Sequence, residues 1–108
     1  MKKDISLLKH MLEDITDMEM FIEDMDFDSF SINILVRKGV CMSLINIGEL
    51  TKSLSREFTS SHPQIPWKNI AGLRDVTAHK YHTLNLEIIW HVIIYDIPSL
   101  KTFIKSII

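Results

Sequence analysis

The sequence has few of the residues that break or cross-link a chain. Its 108 residues include three glycines, three prolines and one cysteine, Cys41. A single cysteine excludes an internal disulfide and suits a reducing cytoplasm. No charge of one sign dominates either, because 12 basic residues face 14 acidic ones and the net charge is -2. This balance excludes a global basic field, so any contact with RNA or DNA must be local.

Long apolar runs are also missing. The longest, residues 88–95, is far shorter than the roughly 20 residues that a membrane-spanning helix needs. No signal-peptide core follows the basic start, because charged residues such as Lys9 and Glu13 are mixed in. We therefore predict one soluble, cytoplasmic domain over residues 1–108, with no membrane contact. Its hydrophobic content of 46% is ordinary, but a mean hydropathy of +0.12 in so small a chain favours an apolar surface used for self-association.

The hydrophobic pattern predicts helices along the whole chain. Apolar residues recur at spacings of three and four, as on the buried face of an amphipathic helix. Ser29 and Ser31 are expected to cap the second helix and Asn85 the fourth, and Pro66 is expected to be the first residue of the third. The expected helices are Ile5–Met25, Ser29 or Ser31 to about Phe58, Trp67 to about His79, Leu84–Asn85 to Tyr95 and, after a break at Asp96–Ser99, Leu100–Ile108. The predicted fold class is an all-α bundle of four to five helices.

Gly48 lies inside the predicted second helix, where it costs about 1 kcal/mol of helix propensity. Close approach of another helix is the more frequent reason for such a glycine. A functional role is the alternative.

One stretch, residues 72–82, interrupts the apolar pattern with polar side chains. It contains Arg74, Asp75, His79, Tyr81 and His82. Asp75, His79 and His82 would share one face of a regular helix, whereas Arg74 and His79 would diverge by roughly 140°. For Arg74 and His79 to act on one bound group, the helix must end or distort near His79, or a second copy must complete the site.

Two interpretations of this cluster stay open from the spacing alone. Basic residues near a helix C-terminus interact favourably with the helix dipole, so the cluster fits a solvated helix end. Arginine and histidine are also the pair that handles a phosphodiester without metal. Histidine exchanges a proton near neutral pH, and arginine supplies a cationic fork for phosphate oxygens. The 2′-hydroxyl of RNA would then be the nucleophile.

A metal site is the weaker alternative. His79 and His82 are spaced as ligands can be, but zinc needs three or four convergent ligands, and the sequence has no C-x-x-C or H-E-x-x-H motif. We therefore predict neither a metal nor another cofactor. His91, on the apolar fourth helix, is expected to be a core or interface residue.

Several segments together resemble a known family. Residues 74–81, Arg-Asp-Val-Thr-Ala-His-Lys-Tyr, are similar to the R-x4-H-x-Y motif of the HepT-like toxins of the HEPN superfamily. Residues 46–50, Asn-Ile-Gly-Glu-Leu, resemble the family's I-G-E segment, and residues 63–74 its P-x-I-P-W-x-x-I-x-G-x-R segment. Trp90 and residues 97–100 resemble its C-terminal region.

This resemblance implies a HEPN-type bundle that dimerises, with the active site in a cleft between the two copies. It implies metal-independent endoribonuclease activity with Arg74 and His79 as catalytic residues and RNA as substrate. Asp75, four residues before His79, is expected to orient that imidazole. Lys68, Lys80 and His82 are expected to contact RNA phosphates.

The resemblance also implies a type VII HEPN/MNT toxin–antitoxin system. The expected partner is an MntA-like minimal nucleotidyltransferase antitoxin that transfers AMP to Tyr81. The homodimer either acts alone or joins the antitoxin in a larger hetero-oligomer. The alternative is a non-catalytic accessory subunit that binds a nucleotide or the nucleotidyltransferase.

Overall fold

The computed structural model describes residues 2–79 and 83–108. For Val76, Ala78 and His79 it describes the backbone alone. Within these residues the chain forms helices and no strand, so the predicted all-α fold is confirmed. The elements are α1 (Lys2–Phe21), α2 (Phe27–Ile32), α3 (Ile34–Lys52), α4 (Arg56–Ser61), α5 (Trp67–His79), α6 (Leu86–His91), a π-helical segment (Val92–Asp96) and α7 (Ile97–Ile107).

Helix α3 is the centre of the bundle. It packs against α1 on one side and α5 on another, and α7 packs against α1. The core consists of almost fully buried apolar side chains that these helices contribute, among them Leu8, Ile15, Leu44, Ile47, Leu100 and Ile104. The two tryptophans are partly buried and pack against this core. Trp67 packs against Phe58 and Phe103, and Trp90 packs against Phe30.

The first helix is shorter at its C-terminal end than predicted. It ends at Phe21, not Met25, because the chain turns at residues 22–24 and Asp24 takes a left-handed backbone conformation with φ of 60°. Aspartate tolerates this conformation better than most residues. The turn could not be predicted from the apolar pattern, because Ile22 and Met25 continue the three- and four-residue spacing of the helix.

The predicted second helix is in fact three helices. Asn33 ends α2 and caps α3, since its side-chain oxygen accepts a hydrogen bond from the backbone N–H of Val36 at 3.0 Å. Ser29 and Ser31 are not the caps; Asp26 caps α2 by accepting from the N–H of Ser29 at 2.8 Å. Short capping side chains thus override an unbroken apolar spacing.

A buried carboxylate fixes the segment that follows α3. Asp4, on α1 and 2% exposed, accepts hydrogen bonds from the N–H of Ser55 at 2.8 Å and from its hydroxyl at 2.7 Å. The Ser55 hydroxyl oxygen in turn accepts from the N–H of Phe58 at 3.1 Å and caps α4. Helix α3 therefore ends at Lys52, and the segment that leads into α4 is attached to α1 through the hydrogen bonds between Asp4 and Ser55.

The third predicted helix is confirmed as α5, although it begins at Trp67, one residue after Pro66. Asn85 caps α6 as expected, accepting from the N–H groups of Glu87 and Ile88. The predicted break at Asp96–Ser99 is wrong. The N–H of Ile97 reaches back five residues to the carbonyl of Val92, and Pro98 lies in the first turn of α7, where its missing N–H is no loss.

Candidate active site at the junction of α3 and α5

Gly48 is the point where α3 and α5 come closest. A Cβ atom added to Gly48 would lie 2.6 Å from the backbone nitrogen of Arg74, 2.7 Å from its Cβ and 3.1 Å from the carbonyl oxygen of Ala71. No side chain larger than hydrogen fits there without a shift of the α5 backbone. The expected close helix approach is confirmed, and it occurs at Arg74 itself. Gly48 therefore fixes the backbone from which the Arg74 side chain starts.

The Arg74 side chain is held by carboxylates of two helices. Its Nε lies 2.6 Å from Oε1 of Glu49 on α3, and its Nη1 lies 3.2 Å from Oδ1 of Asp75. The side chain is one-third exposed. Two fixed contacts restrict the rotamers of a long side chain, so the guanidinium is oriented before any ligand arrives.

Asp75 also contacts Lys52, the last residue of α3. Lys52 Nζ donates to Oδ1 and Oδ2 of Asp75 at 3.2 and 3.3 Å. These hydrogen bonds from Lys52, and then the one from Arg74, hold the pKa of the Asp75 carboxyl below its usual value. Asp75 is therefore ionised at neutral pH. The four side chains Glu49, Lys52, Arg74 and Asp75 form the Arg74 cluster, and their formal charges cancel.

The relation between Arg74 and His79 follows from the helix that carries both. Helix α5 runs without a break from Arg74 to His79, its last residue. Their Cα atoms are therefore separated by roughly 7.5 Å along the axis and roughly 140° around it. The helix is undistorted from Arg74 to His79, and the residues that follow His79 lie outside the described part of the chain.

Some predicted site residues lie outside the described residues, namely Lys80, Tyr81 and His82, and the His79 side chain does so too. The expected orientation of His79 by Asp75 therefore stays a prediction. Lys68 is exposed on α5, seven residues before Asp75 and so about 10 Å from it along the helix axis. His91 is exposed and not a core residue; its ring contacts that of Tyr95 at 4.7 Å.

Sequence reasoning missed Glu49 and Lys52 as members of this cluster. Glu49 was inside the quoted Asn-Ile-Gly-Glu-Leu segment, and its position directly after a helix-interior glycine was the available signal. Lys52 had no comparable signal. Its distance from Asp75 depends on how α3 packs on α5, because 22 residues of chain lie between the two.

A cavity lies on another side of α5, towards the C-terminal helices. Its volume is about 410 Å³, and its wall includes Asn69, Leu73, Asp96 and Ser99. Its described wall includes none of Glu49, Lys52, Arg74 and Asp75. The cavity is therefore distinct from the Arg74 cluster.

Neither a metal cluster nor a membrane span emerges within the described part of the chain. Among residues 2–79 and 83–108, no three histidine, cysteine, aspartate or glutamate side chains are grouped as metal ligands. The pair of ligands considered from the sequence, His79 and His82, lies outside the described side chains. No helix in the same ranges is long and apolar enough to cross a bilayer.

Comparison with known proteins identifies the family. The family model "Ribonuclease HepT-like" matches residues 11–107. "Putative RNase MJ0127" of Methanocaldococcus jannaschii is 41% identical over 99% of this chain and 89% of its own length. "Putative RNase TTE0752" of Caldanaerobacter subterraneus is 34% identical over all of this chain and 96% of its own. "Probable ribonuclease HepT" of Thermococcus cleftensis is 34% identical over 86% of this chain and 88% of its own.

No solved structure matches the chain. The family model covers nearly all of the helical bundle, including α3, α5 and every residue of the Arg74 cluster. The chain belongs to the HepT-like ribonuclease family.

Proposed function

We propose that the protein is an endoribonuclease that cleaves RNA without a metal ion, with Arg74 and His79 as its catalytic residues. The family and the names of the relatives support RNA as the substrate. The observation that carries the residue assignment is the fixed guanidinium of Arg74, which Glu49 and Asp75 hold at the protein surface.

The chemistry needs two groups from the protein. The RNA 2′-hydroxyl attacks the adjacent phosphorus, the bond from phosphorus to O2′ forms, and the bond from phosphorus to O5′ breaks. His79 takes the proton from the 2′-hydroxyl or gives one to the leaving O5′, and water accepts or supplies the other of these two protons. Arg74 binds the phosphate oxygens and stabilises the negative charge that grows on them. A guanidinium fixed in advance is most effective in this role, because it does not have to reorganise during the reaction.

The active site is composite in this proposal, formed by two copies of the chain. Arg74 and His79 of one copy diverge by roughly 140° on an unbroken helix, so they do not readily meet at one phosphate. A two-fold axis beside the end of α5 would bring Arg74 of one copy to His79 of the other. Symmetric dimers are the most frequent oligomers, and their two sites would be equivalent.

The exposed face of α3 supports such a dimer. Leu35 and Met42 are 84% and 57% exposed, and they lie fourteen and seven residues before Glu49, respectively, on the same helix face. An apolar stripe thus leads along α3 to the residue that holds Arg74. Exposed apolar surface of this kind is typical of protein–protein contacts. A second copy seated on this stripe would border the Arg74 cluster.

The protein acts, in this proposal, as the toxin of a toxin–antitoxin pair. An MntA-like nucleotidyltransferase would inactivate it by transferring AMP to Tyr81, seven residues after Arg74. An added adenylate would place a negative charge and a large group near the site, which would repel RNA phosphate and block access. Lys68, Lys80 and His82 would contribute local positive charge to RNA binding.

Cleavage of labelled RNA in EDTA tests the catalytic assignment. Purified wild-type protein, shown by intact mass to carry no AMP, is compared with Arg74→Ala and His79→Ala. Arg56→Ala and His10→Ala are matched controls, because both residues are exposed and lie on other helices. Cleavage that only the first two variants lose is the expected result. Full activity of a folded Arg74→Ala or His79→Ala variant would overturn the assignment.

An unmodified, dimeric wild-type protein that binds a nucleotide or the nucleotidyltransferase but leaves RNA intact would identify the accessory subunit instead. Co-expression with the MntA-like enzyme tests the proposed transfer of AMP to Tyr81. Wild-type protein should gain the mass of AMP, and Tyr81→Phe should not.

A further inference from the structure

Two cations of the cluster share one carboxylate oxygen. Lys52 Nζ and Arg74 Nη1 each lie 3.2 Å from Oδ1 of Asp75. One oxygen between an ammonium and a guanidinium has the surroundings of a bound phosphate oxygen. The Asp75 carboxylate therefore occupies the place where an anionic ligand would bridge these two side chains.

The exposure of this arrangement argues against a role in stability. The side chains of Lys52 and Asp75 are 40% and 56% exposed. Exposed ion pairs contribute little to folding, because water solvates the separated charges well. Their contacts can therefore be exchanged for contacts with a ligand at low cost.

We propose that Lys52 is a phosphate-binding residue of this site, and that RNA phosphate displaces Asp75 from between Lys52 and Arg74. This inference rests on the proposed RNA-cleaving function. It adds a substrate contact on α3 to the residues of the motif on α5. Before RNA binds, the Asp75 carboxylate holds Lys52 Nζ and Arg74 Nη1 on either side of its Oδ1 atom.

Asp75, and not Glu49, is the group that leaves. Glu49 contacts the Nε of Arg74 at 2.6 Å from the residue next to Gly48, where the helices are in closest contact. Asp75 contacts Nη1 at 3.2 Å, whereas Nε, the atom that Glu49 contacts, is buried. Glu49 would keep its contact with Arg74 Nε while Arg74 Nη1 exchanges the Asp75 carboxylate for an RNA phosphate.

Binding of a 2′-O-methyl oligoribonucleotide tests this inference. The probe keeps every phosphate but has no free 2′-hydroxyl, so binding is measured without cleavage. For Lys52→Met we expect a Kd about tenfold higher than for wild type, the effect of one lost charge-assisted contact. The slope of log Kd against log salt should also fall in magnitude by about 0.7, the value for one phosphate contact on a single strand.

Lys105→Met is the matched control. Lys105 is exposed on α7, which carries neither the apolar stripe of α3 nor a residue of the Arg74 cluster, so this variant should leave both Kd and the salt slope unchanged. Circular dichroism checks that each variant is folded. A Kd and a salt slope of Lys52→Met equal to those of wild type would overturn the inference.

Asp75→Asn gives a second, opposite test. If Asp75 competes with phosphate, its neutral analogue should bind the probe several-fold more tightly, since one opposing charge is gone. Weaker binding by Asp75→Asn would contradict the displacement. An orienting role of Asp75 towards His79 would instead lower kcat on cleavable RNA, so the two roles are read from different quantities.

The same experiment separates this inference from the proposed function. RNA cleavage by wild type together with unchanged binding by Lys52→Met would overturn the inference alone. Probe binding that depends on Lys52, without cleavage of ordinary RNA, would support the inference and contradict the nuclease. A wild-type protein that neither binds the probe nor cleaves RNA would overturn both.

Discussion

Two polar contacts near the end of α3 use carboxylates in opposite ways. Asp4 is 2% exposed, and it holds the N–H and hydroxyl of Ser55 as the chain turns into α4. Asp75 is more than half exposed, and it holds Lys52 and Arg74. Both carboxyl groups have a lowered pKa, because each accepts hydrogen bonds in its ionised form.

Burial decides what each contact can do. A buried acceptor has no water to replace its partner, so the loss of either partner leaves unsatisfied groups. An exposed acceptor loses little when its partners separate, which makes it exchangeable. The first contact is therefore expected to stabilise the fold, and the second to serve ligand binding. The predictions below test this difference.

The largest stability effect is expected for Asp4→Ala. It removes two hydrogen bonds to a charged acceptor and leaves the Ser55 N–H without its partner, a loss of about 3 kcal/mol in the free energy of unfolding. Urea denaturation measures it. Asp17→Ala, on the exposed face of the same helix, should change stability by no more than about 0.5 kcal/mol. Equal stabilities of the two variants would contradict the assigned role of Asp4.

The contribution of Asp4 should depend on pH in a defined direction. Hydrogen bonds from the Ser55 backbone and side chain lower its pKa in the folded state. The stabilisation is therefore fully present above the unfolded-state pKa of about 3.9 and is lost as pH falls through the folded-state value. The difference in unfolding free energy between wild type and Asp4→Asn should shrink over that acidic range. A difference that stays constant with pH would contradict this linkage.

The helix contact at Gly48 is expected to give a smaller stability effect but a large loss of activity. In Gly48→Ala the new Cβ meets backbone atoms of α5, at a cost of about 1–3 kcal/mol that the gain of about 1 kcal/mol in helix propensity partly offsets. The rate of RNA cleavage should fall by more than the loss of stability alone explains, because the added Cβ displaces the backbone that carries Arg74. In Gly72→Ala the Cβ has nothing within 4 Å, so this variant should be more stable than wild type. Thermal melts and cleavage rates of both variants measure these effects, and unimpaired cleavage by Gly48→Ala would contradict the placement of Arg74.

Glu49→Gln should give the smallest stability effect. It keeps an oxygen near Arg74 Nε but removes the charge of a surface ion pair, worth less than about 1 kcal/mol. We nevertheless expect a lower kcat with KM nearly unchanged, because the guanidinium is less well oriented in the transition state. Glu23→Gln, exposed in the turn after α1, serves as the control. A wild-type kcat for Glu49→Gln would contradict the positioning role.

The sequence predicted those parts of the fold that depend on residues close together in the chain. Helix α5 and the Asn85 cap follow from local rules for prolines and capping side chains. The close approach at Gly48 was predictable because an interior glycine has few other uses. The all-α class followed from the regular apolar spacing.

The missed features depend on competition or on tertiary packing. Asn33 splits a helix whose apolar spacing continues across it, because its side chain satisfies the new helix start. The π-helical segment lets the chain pass Pro98 without the expected break. Lys52 reaches Asp75 only because α3 packs on α5, which no local pattern reveals. Arg74 and Asp75, which the structure shows in contact, are neighbours in the sequence, and Glu49 follows the informative Gly48, whereas no sequence signal pointed to Lys52.

The claim that Arg74 and His79 act across a dimer can be tested by mixing inactive variants. Arg74→Ala and His79→Ala proteins are combined, subunit exchange is verified by native mass spectrometry, and RNA cleavage is measured in EDTA. Random exchange gives about half heterodimers, each with one of two composite sites intact, so about a quarter of wild-type activity should return. If both variants are inactive alone and the exchanged mixture stays inactive, the two residues act within one chain, and the composite site is wrong.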